Sequence, residues 1–216
     1  MFVAWWKQTI YIGDIEACLR DARVFVELAE RSGSTWAITV AASTLGRAHL
    51  AGRRWSQSLE SLDYALAQAR QHKLGLEAEA SYLALLAEAL AGAGELEKAL
   101  ATAEEAVTVA YRKQTLFWEL QAQISLARIL IRRKPIKDHP RIAKTLERAV
   151  ELVAKTGGEV MRPFVIKRQA EFAKLKGDGA RHQRMLQEAQ RRFISIGAYG
   201  YAERLAIKLR DVESSS

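Results

Sequence analysis

The stretch YLALLAEALAGAGELEKALATAEEAV, Tyr82–Val107, is built almost entirely from Ala, Leu and Glu, and it breaks once, at Gly92–Gly94. Ala, Leu and Glu are strong helix formers and Gly a weak one, so the break separates two helices. Leu83, Leu86, Ala87 and Leu90 recur at steps of three and four, which marks one face of a helix. Leu96, Ala99, Ala103 and Ala106 mark one face of another. Read this way, both glycines serve the turn, and Glu95 falls near the positive start of the second helix. The stretch is a helical hairpin.

The same figure recurs along the chain. Leu45, Gly46 and His49 lead through a turn at Gly52 to Trp55, Ser58, Leu62 and Ala65. Leu126 and Ala127 lead through a longer turn to Ile142, Leu146 and Ala149, and Ala170 and Ala173 lead through Gly177-Asp178 to His182, Leu186 and Ala189. Near the start, Gly13-Asp14 precedes Ile15, Cys18, Ala22 and Phe25. The equivalent small residues Ala65, Ala106, Ala149 and Ala189 are 41, 43 and 40 residues apart. A small residue on each first helix (Gly46, Ala87, Ala127, Ala170) lets its hairpin partner approach. A small residue on each second helix lets the next hairpin stack, because no single hairpin buries its apolar face alone.

The pattern places hairpins at roughly 1–31, 34–72, 76–113, 115–156 and 160–196, with a last helix near 198–212. The expected fold is all-α: a right-handed superhelical solenoid of about five hairpins and a closing helix. It forms a single domain over residues 1–212 with a polar tail, 213–216. MFVAWW reads as the middle of a helix, which suggests a piece of a longer polypeptide; the alternative is a short native capping helix.

GDIEAC, GRAHLAGRRWSQSL and AGAGELEKAL resemble the tetratricopeptide repeat (TPR), with a period near 40 in place of the usual ~34. The chain from about residue 35 to 210 is also similar to the C-terminal helical region of large bacterial signalling regulators. In these, an adenylate-cyclase-type or LuxR-type output domain is joined to a STAND-class ATPase. The residues that carry the likeness are Phe117-Trp118-Glu119 and the ending Gly197-Ala198-Tyr199-Gly200-Tyr201-Ala202-Glu203-Arg204-Leu205-Ala206. The resemblance implies a regulatory, protein-binding role. No cyclase or ATPase motif is present, so neither activity carries over.

Composition narrows the classes further. Hydrophobic residues make up 49% and charged residues 27%, which is globular composition. One cysteine, Cys18, allows no intrachain disulfide. No apolar run approaches the ~18 residues of a membrane helix, and the start does not read as a signal peptide. The expectation is a soluble, cytoplasmic protein. Phosphate loops require Lys and Ser or Thr after their glycines, and neither AGAGELEKA nor KGDGAR supplies them. His49, His72, His139 and His182 are far apart and outside any metal-ligand frame, and His49 and His182 fall at core positions. Cys18 also falls at a core position, and Glu104-Glu105 reads as surface charge. The reading is of a non-enzyme with no catalytic residues, metal or cofactor.

What remains is surface. Residues 1–110 carry 10 Lys and Arg against 14 Asp and Glu; residues 111–216 carry 23 against 11. The basic half suits nucleic acid, an acidic protein partner, or a solvated helical face. First-helix positions off the core stripe are Lys7, Ser43, Arg47, Ala84, Glu88, Gln121, Arg128, Arg132, Lys167 and Lys174. Of these, Lys7, Arg47, Arg128, Arg132, Lys167 and Lys174 are the candidate partner-binding residues. They lie in a concave basic groove that takes a protein or peptide, acidic in character, or another domain of the same polypeptide. The alternatives are sequence-blind nucleic-acid binding through Arg132, Arg133, Lys134, Lys137 and Arg141, and self-assembly through an N-terminal edge of Phe2, Trp5 and Trp6 as a homo-oligomer. Trp5, Trp6, Trp36, Trp55 and Trp118 read as packing residues at repeat joints.

Overall fold

The computed structural model describes residues 14–134 and 138–213. Among these are ten α-helices and no strand. They are α1 (Ile15–Ser32), α2 (Thr35–Ala51), α3 (Trp55–His72), α4 (Glu79–Ala93), α5 (Leu96–Arg112), α6 (Leu116–Arg133), α7 (His139–Thr156), α8 (Arg162–Leu175), α9 (Gly179–Ser195) and α10 (Tyr199–Glu213). Single 3₁₀ turns, Leu76–Ala78 and Glu159–Met161, lead into α4 and α8. Each expected hairpin from residue 34 onward is matched by a helix pair, and the closing helix by α10. Met1–Gly13, and with it the N-terminal edge and Lys7, lies outside the described residues, as do residues 135–137, Lys137 among them, and the last three residues of the tail.

The chain divides into two compact units, one spanning Ile15–Ile129 and the other beginning at Leu130. In the first unit, α4 is the inner layer: Ala80 to Ala87 are all buried. Its partner α5 buries only Ala99, Ala103, Ala106 and Ala110, a one-sided stripe of small residues at steps of four, three and four. Four alanines with no exposed surface bring the α5 backbone close to its neighbours. Leu62, Leu66, Leu83, Leu86 and Ala106 meet in one core with Ala122 of α6.

Close approach is visible at Gly46. A methyl group there would lie 2.7 Å from Leu62 Cγ. Ser58 Oγ donates to the Gly46 carbonyl oxygen at 2.9 Å. The second unit repeats this bond with other residues: His182 Nδ1 donates to the Ala170 carbonyl oxygen at 2.8 Å. Since a carbonyl only accepts, this fixes the proton on Nδ1. His49 and His182 are both buried, as their register requires, and so is Cys18.

Two sequence readings need correction. Gly92 is not part of the turn, because α4 continues through Ala93 and the chain reverses at Gly94, whose φ of +93° suits glycine. Gly92 instead gives space to Trp55: a methyl group there would fall 2.4 Å from the indole ring. Trp36 is the second correction. Expected as a packing residue at a repeat joint, it is 47% exposed at the start of α2 and so only partly covered.

A charged clasp ties three helices of the first unit. Glu79, the buried first residue of α4, accepts from Arg70 Nε of α3 at 2.7 Å and from Lys113 Nζ, just after α5, at 2.6 Å. Arg70 Nη2 also donates to Glu105 at 2.6 Å, and Lys113 Nζ to the Leu76 carbonyl oxygen at 2.7 Å. Burial pushes the Glu79 carboxyl up, but the bonds from Lys113 and Arg70 outweigh it and hold it below its ordinary value.

The second unit closes on aromatic rings. Phe164 of α8, Phe193 of α9 and Tyr201 of α10 lie with centroids 4.9 to 5.1 Å apart. Ile166, Leu186, Leu205 and Leu209 complete this core. The Gly197-to-Ala206 segment quoted above therefore supplies the last packing helix through Ala198, Ala202 and Leu205.

Candidate functional site

The first helices of successive hairpins in the first unit are α2, α4 and α6. Their polar side chains meet in a ladder. Ser81 of α4 donates to Gln121 Oε1 of α6 at 3.0 Å. Ser125 Oγ of α6 lies 2.9 Å from both the Ala84 carbonyl oxygen and Glu88 Oε1, which share its one proton. Arg128 Nη1 of α6 donates to Glu88 Oε2. On the other flank of α4, the Tyr82 hydroxyl is hydrogen bonded with Ser43 of α2, close to Arg47. Burial pushes the Tyr82 phenol up, which keeps it neutral.

The register behind the ladder is simple. The residue directly after each close-approach position is Arg47 after Gly46, Glu88 after Ala87, Arg128 after Ala127 and Glu171 after Ala170. The sign alternates along the chain, and within the first unit it produces the Glu88–Arg128 pair. Arg128 is therefore neutralised by a residue one repeat away, with its side chain 32% exposed and that of Glu88 20% exposed. Ser43 and Ala84, counted among the surface positions, are buried.

In the second unit the acid at the equivalent position, Glu171, pairs within its own helix. Arg168 Nη1 donates to Glu171 Oε2 at 2.5 Å, and Lys167 and Lys208 stand near it. Burial pushes this carboxyl up, but Arg168, Lys167 and Lys208 overcome that and hold it at about 2. Lys167 thus faces an acid of its own chain, while Arg132 and Lys174 are exposed. Of the basic run proposed for nucleic acid, Arg133 Nη1 lies 3.5 Å from Asp138 Oδ2. Arg132 and Lys134 are exposed. His139 stacks edge-on to Phe172 at 5.4 Å. Among the described residues no three metal-ligating side chains gather, and no helix is long and apolar enough to cross a membrane.

Sequence reasoning listed Arg47, Glu88, Gln121 and Arg128 but read them as separate surface groups. The missed signal was the 41- and 40-residue spacing of Arg47, Glu88 and Arg128, the same spacing that located the repeats. Glu171, 43 residues on, was missed outright.

Helix pairs in regular register, with small residues at each crossing, decide the architecture. The fold is an all-α repeat solenoid of TPR-like hairpins. No protein-family model matches the sequence, and no curated protein does. Solved structures do. BtubC (BKLC) from P. vanneervenii superposes with a TM-score of 0.63 at 17% identity, over 94% of this chain and 92% of that one. Rap protein complexed with competence and sporulation factor gives 0.65 at 13% identity, over 95% of this chain but 60% of Rap. A Podosopora anserina putative kinesin light chain with nearly identical TPR-like repeats gives 0.57 at 19% identity, over 83% and 87%. At these identities the likeness is one of fold.

Proposed function

We propose that this chain is a non-catalytic protein-interaction module, the C-terminal part of a larger bacterial signalling or transcriptional regulator. Its first-helix face binds a segment of a partner protein or of a neighbouring domain. The observation that carries the reading is the polar ladder across α2, α4 and α6. It joins Arg47, Ser81, Glu88, Gln121 and Arg128 across the first helices of three successive hairpins in one compact unit. Such a row offers side-chain donors and acceptors at regular intervals to an extended chain, with main-chain groups as their natural counterparts. The Rap structure, whose partner is competence and sporulation factor, is a precedent for the fold and no more. The resemblance to the regulators suggests the cellular setting; in the second unit, taken by itself, the exposed first-helix cations Arg132 and Lys174 favour acidic segments, whereas Lys167 already faces Glu171.

The test exploits the Glu88–Arg128 pair. Glu88→Arg and Arg128→Glu each break it, while the double swap restores an ion pair of inverted direction. Synthetic 12-residue acidic peptides, with free and with amidated C-termini, serve as probes in fluorescence anisotropy. The expected outcome is that the double swap recovers most of the stability lost in the single variants yet binds the best peptide at least 10-fold more weakly. Unchanged binding by the double swap, or acidic peptides binding no better than scrambled neutral controls, refutes the ladder as the site. The regulator setting has its own test: an upstream reading frame without an ATPase or output domain refutes it.

A further inference from the structure

The second unit, from Leu130 onward, holds 20 Lys and Arg against 10 Asp and Glu, whereas Ile15–Ile129 holds 12 against 14. Most of its partnered arginines are used at home: Arg133, Arg148, Arg162, Arg168 and Arg192 all form ion pairs. Helix α9 departs from this. At 3.6 residues per turn, Arg181, Arg184, Glu188, Arg191 and Arg192 fall on one side. His182, Leu186, Ala189 and Phe193 are buried on the other. Arg192 is neutralised by Glu188 one turn earlier, at 2.9 Å. Arg181, Arg184 and Arg191 are exposed, and among the described residues their side chains have no acidic partner. Three unspent guanidinium groups thus stand in a row about 15 Å long on a rigid helix.

We propose that this outer face of α9 docks an acidic α-helix of a partner protein, at a surface separate from the first-helix ladder and independent of its function. Charge complementarity selects the sign, and three features select a protein helix over a nucleic acid. The free arginines are three and seven residues apart, about 4.5 and 10.5 Å along the axis. Glutamates at the same spacing on an antiparallel helix meet all three, because both helices share one rise. Glu188 sits in the middle of the row, where it repels a continuous phosphate rail but tolerates an uncharged side chain opposite. One flank carries exposed Ile194, at 48%, and the uncharged Gln187. They suit the apolar and amide side chains of a protein, and no aromatic ring stands on the row to stack a base. Arg forks fit carboxylates two bonds at a time, so spacing matters as well as net charge.

The experiment uses the full chain and three probes: a helical peptide with glutamates at the matched spacing, a scramble of identical composition and charge, and a 20-base-pair DNA duplex of arbitrary sequence. At low salt the matched peptide is expected to bind at least 10-fold more tightly than the scramble, with the gap closing as salt rises. Arg181→Glu with Arg184→Glu and Arg191→Glu removes that preference, and Arg181→Gln with Arg184→Gln and Arg191→Gln reduces it. Lys144→Glu with Lys155→Glu on α7 of the same unit leaves it in place. Equal affinity for matched and scrambled peptides overturns the proposal. So does equal loss in the α7 variant, or tighter binding of the duplex that depends on the same three arginines.

Discussion

Gly92→Ala tests the repeat joint most sharply, because two opposed effects of known size meet there. In an exposed helix interior the change stabilises by about 1 kcal/mol, since Ala loses less backbone freedom than Gly. At this position the new methyl carbon would lie 2.4, 2.6 and 2.7 Å from three ring carbons of Trp55. Carbon pairs rest at about 3.5–4.0 Å, so one side must move by about 1 Å. The obstacle is a rigid indole seated at the start of α3, not the free end of a flexible chain. Overpacking of this kind costs about 1–3 kcal/mol or more. A 2.4 Å approach to a rigid ring belongs at the upper end of that range, about 2–3 kcal/mol, so net of the propensity gain Gly92→Ala is expected to destabilise by about 1–2 kcal/mol, which lowers Tm by about 2–8 °C for a chain of this size. Thermal melting followed by circular dichroism reads the size, and hydrogen exchange over α3 and α4 reads the place. The partner experiment is Trp55→Ala, which empties the space. On that background Gly92→Ala should be neutral or stabilising, because only the propensity term is left. A Gly92→Ala protein that melts at or above the parent temperature refutes the reasoning, as does an equal loss on the Trp55→Ala background.

Ala106→Trp places an indole where Ala106 has no exposed surface, so it should force α5 from its neighbours and lower Tm by several degrees; melting like the parent would show the register to be misread. Glu79→Gln leaves Arg70 and Lys113 without their shared carboxylate and is expected to cost about 1–3 kcal/mol, measured by urea unfolding at neutral pH. The Glu171 carboxyl, held at about 2 in the fold, stabilises the second unit above the ordinary carboxylate range; that contribution drains away as pH falls from about 4.5 towards 2. Glu171→Gln should therefore be less stable at pH 7 and should lose less on acidification than the parent, with pH-dependent hydrogen exchange over α8 as the measurement.

The repeat was legible because it depends on short-range rules. Small residues must recur where backbones cross, and Ala65, Ala106, Ala149 and Ala189 do recur at nearly constant spacing. Helix ends were legible for the same reason, through Gly94 and the Asp178 cap that accepts from the Arg181 amide. Gly92 was misread because a glycine near a turn has two physical uses, and only the position of Trp55, 37 residues away, separates them. The ladder was partly legible: its members were named, but each was read as a separate surface group. In a stacked repeat the partner of a side chain stands about one period away, so Arg128 has to be added to Glu88 before its availability is judged. Applied to the whole sequence, that rule removes Arg128 from the unspent positive charge of the first-helix face, where Arg132 and Lys174 stay exposed, and leaves a row of three on the outer face of α9. There, Arg181, Arg184 and Arg191 flank a Glu188 already taken by Arg192, and they form no ion pair among the described residues. The two surfaces should therefore differ in kind: the ladder responds to loss of one ion pair with a change in both stability and binding, while the α9 row responds to charge reversal in binding alone.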